Sequence, residues 1–167
     1  MDNIALSIMN TLEALNIPHQ LITAIISMIP LLELRGSILV AGILNMPFVE
    51  TFIAAVIGNM IPIPFILIFI EKIFELMKKS RHICKIPIWI ENKAMSKSEQ
   101  IEKYGYLGLF LFVAIPLPGT GAWTGSLLAV LLGLKRGKSL LAVFLGVLGA
   151  GFIMSALSFG LIGNLLY

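Results

Sequence analysis

Charged and helix-breaking residues interrupt two long apolar stretches of the sequence. The first contains a carboxylate and a guanidinium two residues apart, in the segment Ile29-Pro30-Leu31-Leu32-Glu33-Leu34-Arg35-Gly36. The second contains prolines, glycines and hydroxyl groups, in the segment Ile115-Pro116-Leu117-Pro118-Gly119-Thr120-Gly121-Ala122-Trp123-Thr124-Gly125. A charge at membrane depth costs about 2.5–3.5 kcal/mol on insertion scales, and such residues mark ion or substrate pathways. The pattern predicts a small carrier rather than a membrane anchor.

Glu33 and Arg35 are the candidates for ion and substrate binding in the first stretch. A protonatable Glu33 would couple transport to a proton or another ion, and Arg35 would hold a phosphate or carboxylate group with two parallel N–H donors. Residues two apart point to different sides of a helix, whereas in an extended tip they project the same way. Pro30 and Gly36 favour such unwinding. The alternative is a mutually neutralising pair that only fixes the tip.

The second stretch offers hydroxyl groups, an indole and backbone amides instead of charge. Its candidate binding residues are Thr120, Trp123 and Thr124, and helix N-termini at this tip would favour an anion. The alternative is that the segment simply turns the chain inside a membrane. Asn59 is a further candidate, which faces either a substrate cavity or a neighbouring helix. The residues expected to shape the two tips are Pro30, Gly36, Pro116, Pro118, Gly119, Gly121 and Gly125.

The composition predicts an integral membrane protein. The 167 residues are 58% hydrophobic and 13% charged, with a mean hydropathy of +0.98. No basic stripe with interleaved aromatic residues is present, which argues against a nucleic-acid partner. The single cysteine, Cys84, permits neither an internal disulfide nor a cysteine-based metal site. We therefore expect no metal and no cofactor, and membrane lipids and an amphipathic molecule as partners.

The distribution of Lys and Arg predicts the topology. Eight of the 12 lie in residues 71–104 and three more in 135–138, so both segments are expected in the cytoplasm. The 28 residues of 107–134 must then leave from and return to the same side. They are too many for one upright helix of about 20 residues and too few for two. A re-entrant hairpin over 105–134 satisfies both conditions.

The same reasoning gives a first re-entrant hairpin over 20–46, with a full span as the alternative. Transmembrane helices are expected over 48–70 and 139–161, with small residues at Gly58 and Gly146 as helix-packing positions. The predicted fold is an all-α integral membrane protein of two inverted-topology repeats, each a re-entrant hairpin followed by a transmembrane helix. Interfacial amphipathic helices over 1–18 and within 71–104 complete a single domain, 1–167, of a plasma or inner membrane, with a homodimer as a candidate assembly.

Two groups of residues resemble a known family. They are Pro30-Leu-Leu-Glu33-Leu-Arg35-Gly36 with Ala41-Gly42, and Lys103-Tyr104-Gly105-Tyr106-Leu107-Gly108 with the second-tip segment from Pro116 to Gly125. Both closely resemble the small multidrug export protein family over nearly the whole chain. A more distant resemblance runs to the DedA (SNARE-associated, VTT-domain) superfamily, which implies paired re-entrant hairpins and transport of phosphate-headed lipid carriers. It also implies that Glu33 matches the acidic residue of the DedA first hairpin.

These observations predict a proton- or ion-coupled carrier for a lipid phosphate or a lipophilic drug-like molecule. The alternative from another class is a membrane scaffold or assembly factor that transports nothing. An intramembrane hydrolase fits poorly, because no His lies near a candidate Ser and no second carboxylate accompanies Glu33 at membrane depth. No catalytic residue is therefore expected.

Overall fold

The computed structural model describes residues 18–43, 46–81 and 83–161, and every regular element in these ranges is helical. An all-α chain is therefore confirmed there, whereas the predicted interfacial helix over 1–18 lies almost entirely outside the described residues. The helices are α1 His19–Met28, α2 Glu33–Ile43, α3 Phe48–Met60, α4 Pro62–Lys79, α5 Lys85–Met95, α6 Glu99–Ala114, α7 Ala122–Leu131 and α8 Arg136–Ser155, followed by a π-helical turn at Ala156–Leu161.

Helices α1 and α2 are short and contact each other. They have 10 and 11 residues, which corresponds to about 15–17 Å and is well below the ~30 Å hydrocarbon core of a bilayer. Helix α1 ends at Ile29, whose extended backbone (φ −75°, ψ 126°) is the conformation that a following proline imposes. We call Ile29–Leu32, which joins the two helices, the first tip.

Two helical runs are long and apolar enough to cross a membrane, Phe48–Lys79 with 32 residues and Arg136–Ser158 with 23. Their most apolar windows are only 39% and 44% buried, so much of their apolar surface is left for lipid. The first run contains the α3–α4 junction at Ile61, before Pro62, which has no N–H to continue the helical bonding. It continues to Lys79, beyond the end expected at residue 70.

Helix α6 consists of two segments that fold back on each other. Gly105 has φ +57° and ψ −127°, a mirror-image extended conformation open to glycine. On the two sides of this turn, Gly108 lies so close to the Gln100 carbonyl that a side chain at Gly108 would collide with it. Helix α6 thus begins at Glu99, ahead of the expected hairpin start at residue 105. We call Ile115–Gly121, which connects α6 to α7, the second tip.

The chain divides into two compact units, which are described separately. Unit 1 holds the first tip with helices α1, α2 and α3 and the part of α8 from Val147 onward. Unit 2, Ile63–Gly146, holds the second tip with the remaining helices and the first part of α8.

Close helix contacts in each unit depend on glycine. In unit 1 a side chain at Gly58 would collide with the backbone of Ala24 on α1. In unit 2 a Cβ at Gly146 would lie 2.6 Å from Val113 Cβ and 2.9 Å from the Phe110 carbonyl oxygen. The predicted packing role of Gly58 and Gly146 is therefore confirmed.

We expect Gly58→Ala to lower the free energy of unfolding by about 1–3 kcal/mol, because the added Cβ meets backbone that cannot rotate away. Gly137→Ala is the matched control. A Cβ there meets nothing within 4 Å, so the change should be neutral or slightly stabilising. Thermal unfolding of both variants in detergent measures the difference, and equal melting temperatures would contradict the close α1–α3 contact.

Candidate functional site

Glu33 combines three unusual properties at the end of the first tip. Its side chain is 6% exposed, its backbone is left-handed with φ +50°, and it is the first residue of α2. Among the described non-glycine residues it alone has a positive φ. A left-handed conformation costs roughly 1–2 kcal/mol for an L-residue outside glycine, with some relief for Asn and Asp. A buried carboxylate in a strained backbone is typical of a functional position.

Arg35 lies one half-turn further along α2 and is partly buried. The Glu33 carboxylate acts electrostatically on its guanidinium, so the two predicted residues interact. The non-helical backbone ends at Glu33, and Arg35 lies on the helix, so the extended conformation expected to project both side chains the same way does not include Arg35. Gly36 follows, and a Cβ there would lie only 3.0 Å from Leu32 Cβ. Within the first tip Leu32 is buried, whereas Leu31 is 81% exposed.

A pair of buried serines joins the two helices below this tip. Ser27 Oγ on α1 and Ser37 Oγ on α2 are 2.6 Å apart, and each also reaches a carbonyl oxygen, of Thr23 at 2.8 Å and Leu34 at 3.1 Å respectively. Each hydroxyl thus has two acceptors and one proton, so the pair has two complementary hydrogen-bonding arrangements. Neither serine was predicted from the sequence as a site residue. Both are polar residues inside an apolar stretch, and that pattern could have identified them.

Asn59 is fully buried on α3. Neither its amide oxygen nor its amide nitrogen has a hydrogen-bond partner among the residues that the structure describes. The helix–helix hydrogen bond that the sequence leaves open is therefore not formed within that part of the chain. Burying an amide without a hydrogen-bond partner costs about 1–3 kcal/mol of stability, so Asn59 stays a candidate binding residue.

The second tip is held by its own backbone and by one threonine. Gly119 and Gly121 have φ +75° and +136°, conformations that glycine adopts without a steric penalty. Thr120 Oγ1 donates to carbonyl oxygens within the tip, of Ile115 at 3.0 Å and Leu117 at 2.8 Å. Thr120 therefore shapes the tip, in addition to its predicted binding role.

Trp123 and Thr124 lie in the first turn of α7, directly after the second tip, and both are partly exposed. Gly125 comes next and faces α6, since a Cβ there would lie 2.8 Å from Val113 Cγ2. Ser126 is fully buried, and its hydroxyl has no hydrogen-bond partner within the described ranges. Trp123, Thr124 and Gly125 thus occupy one turn of a helix that packs closely against α6, whereas Thr120 lies in the loop before it.

Lys97 brings a positive charge to the second tip, which the sequence predicts to be uncharged. Its Nζ donates a hydrogen bond of 3.1 Å to the Pro118 carbonyl oxygen, 21 residues further along the chain. No local pattern connects the two residues, because the contact depends on the fold-back at Gly105. Glu33, Arg35 and Asn59 lie in unit 1, whereas Lys97 and the second tip lie in unit 2. A site shared by the two tips therefore stays a prediction.

The described residues contain no group of three or more His, Cys, Asp or Glu side chains that could hold a metal ion. The candidate site consists instead of polar groups at or near the two tips. A family profile covers the whole second tip, and on the side of the first tip its match begins at Glu33. That profile, described as "Putative small multi-drug export protein", matches residues 33–153. The chain belongs to this family. No curated protein and no solved structure matches it.

The matched range of the small multi-drug export family begins at Glu33 and ends within α8. It includes Arg35, Asn59 and the whole second tip, together with Lys97. The family and the two long apolar helices identify the chain as a membrane protein.

Proposed function

We propose that this protein is a small membrane transporter that moves an amphipathic substrate and couples the movement to a proton or another ion through Glu33. The observation that carries the proposal is the buried, left-handed Glu33 at the end of the first tip. A chain that needed only a turn at this position would be more stable with glycine there. The free-energy cost of burying a glutamate in a left-handed conformation is therefore better explained by the chemistry of its carboxylate than by the shape of the turn.

The proposal gives Glu33 and Arg35 different roles. Glu33 binds and releases the coupling ion, and Arg35 contacts the anionic group of the substrate. Both are close enough to interact, so occupation of one changes the electrostatic environment of the other. This coupling between two adjacent sites is what an ion-driven carrier requires.

The finer architecture belongs to the proposal as well. Two re-entrant hairpins of the DedA type, in inverted repeats, would bring the tips to membrane depth, where non-helical backbone is tolerated only against protein or a water-filled cavity. The shortness of α1 and α2 supports this, because neither helix alone can cross a bilayer. Thr120, Trp123 and Thr124 are proposed to contact substrate at the second tip. A multi-pass position in the plasma or inner membrane, with 71–104 and 135–138 in the cytoplasm, completes the proposal.

Reconstitution into liposomes tests the proposal. Purified protein would be given a pH gradient in either direction and one of two labelled substrates, a polyprenyl phosphate or a lipophilic cationic drug, with protein-free liposomes as the control. We expect gradient-dependent movement of one substrate class. Movement of the phosphate lipid that is lost in Arg35→Gln would identify a headgroup contact. If neither substrate moves in either gradient, the transporter proposal fails and the scaffold alternative is favoured.

A further inference from the structure

Lys97 connects a charged linker to the second tip. It belongs to the three residues Ser96–Ser98 between α5 and α6, and its ammonium group donates to the Pro118 carbonyl at 3.1 Å. The same ammonium occupies the place where a side chain at Gly119 would be. The absence of a side chain at Gly119 therefore leaves the space that the Lys97 ammonium occupies.

This contact is built by the fold-back of α6. Gly105 reverses the chain, and the close approach of Gly108 to Gln100 lays the segment before the turn along the segment after it. The linker thereby reaches the level of the second tip. Helix α5, which precedes the linker, also contacts α7, which follows the tip. Linker and tip are thus held on both sides by packed helices.

The charge of Lys97 is not neutralised by a carboxylate within the described ranges. The bond to Pro118 is the interaction that the described residues give it, and the nearby Glu102 instead accepts a hydrogen bond from Ser98. An ammonium donor forms a stronger bond to a carbonyl than a neutral donor does. The bond lies at an exposed position, so its strength comes from the charged donor rather than from burial, and it joins two segments that packed helices already bring close together.

We propose that Lys97 is a positioning residue that latches the second tip: its bond to the Pro118 carbonyl holds the tip in the described conformation and must break before the tip moves. The importance of such movement for transport rests on the proposed function. The latch itself is a property of unit 2 and is measured without substrate, gradient or flux. Failure of transport and failure of the latch are therefore separable.

Cysteine labelling at the tip tests the latch. In a Cys84→Ser background, Ala122→Cys places a thiol directly after the tip, at a position whose native side chain is fully buried, so that it reacts only when the tip opens. The rate of its reaction with a small maleimide reports how often the tip opens. We expect Lys97→Met to raise this rate about tenfold, the factor expected for loss of one hydrogen bond to a charged donor. Lys97→Arg should restore the native rate, because a guanidinium also donates to a carbonyl.

Lys93→Met is the matched control. Lys93 is an exposed lysine on α5, four residues before Lys97, and its ammonium lies over the Trp89 ring, 4.6 Å from the ring centroid, rather than on the tip. An unchanged rate in Lys97→Met, or an equal rise in Lys93→Met, would overturn the latch. Should Lys97→Met not yield folded protein, Lys97→Gln keeps a neutral donor and is expected to give an intermediate rate.

Discussion

Gradient-driven flux is expected to fall to the protein-free background when Glu33 is replaced by Gln. The amide has the size of the carboxyl group and fits the same buried position, but it can neither release a proton nor bind a cation with a full charge. The substitution therefore removes the coupling chemistry while leaving the tip filled. Flux into reconstituted liposomes under a fixed pH gradient measures the effect, with substrate binding measured beside it.

Glu99→Gln is the matched control for this variant. Glu99 is an exposed carboxylate in the first turn of α6, and its replacement should leave flux unchanged. Unchanged flux in Glu33→Gln would contradict the assignment of Glu33 as the coupling acid. If the double change Glu33→Gln with Arg35→Gln also leaves the protein fully functional in cells, the scaffold alternative is favoured. A structural pair tolerates this double change, because neutralising both charges removes the cost of burying them together with their interaction.

Glu33→Gly separates the backbone of this residue from its carboxylate. Glycine adopts φ +50° without the penalty of an L-residue, so Glu33→Gly should be more stable to thermal unfolding than Glu33→Gln by about 1 kcal/mol. Neither variant should transport. If Glu33→Gly raises stability and abolishes transport, the backbone strain at Glu33 is retained because transport requires the glutamate.

The apolar helices and the positions of both tips could be predicted from the sequence because their signals are local. A proline after an apolar run ends a helix, and the observed end of α1 at Ile29, before Pro30, follows that rule. Gly119 and Gly121 could likewise be assigned to a turn, and both have positive φ. The burial of Glu33 could be predicted from its place in an apolar stretch, but its left-handed backbone could not, because Glu, unlike Gly, Asn or Asp, does not indicate that conformation.

Contacts between distant residues could not be predicted in this way. The bond between Lys97 and Pro118 depends on the fold-back at Gly105, and the basic residues around Lys97 indicate only the side of the membrane. The ion pair between Lys78 on α4 and Glu91 on α5, at 2.7 Å, is likewise a contact between residues distant in the sequence.

The fold-back gives a physical reason for one motif on which the family resemblance rests. In Lys103-Tyr104-Gly105-Tyr106-Leu107-Gly108, the two glycines have different tasks. Gly105 supplies a backbone conformation, whereas Gly108 supplies the space for Gln100 to approach. Tyr106 lies beside the turn, where its hydroxyl accepts a hydrogen bond of 3.1 Å from the Lys135 backbone N–H. The motif therefore specifies a turn and its anchor.

Gly105→Ala is expected to destabilise the protein and to release the second tip, although residue 105 does not contact that tip. An L-residue in this mirror-image conformation costs about 1–3 kcal/mol. The cost is relieved if α6 straightens into one helix, which would carry Lys97 away from Pro118. We therefore expect a lower melting temperature and faster maleimide labelling at Ala122→Cys, as in Lys97→Met.

Two features make this variant a sharp test. A Cβ at Gly105 meets nothing within 4 Å, so a collision with neighbouring side chains cannot account for the effect. Gly137→Ala, also in open space but without a positive φ, controls for the loss of a glycine. Native stability together with native labelling in Gly105→Ala would contradict the fold-back of α6. Faster labelling in both Gly105→Ala and Lys97→Met would instead show that a backbone turn and a side-chain bond, eight residues apart, control the same tip.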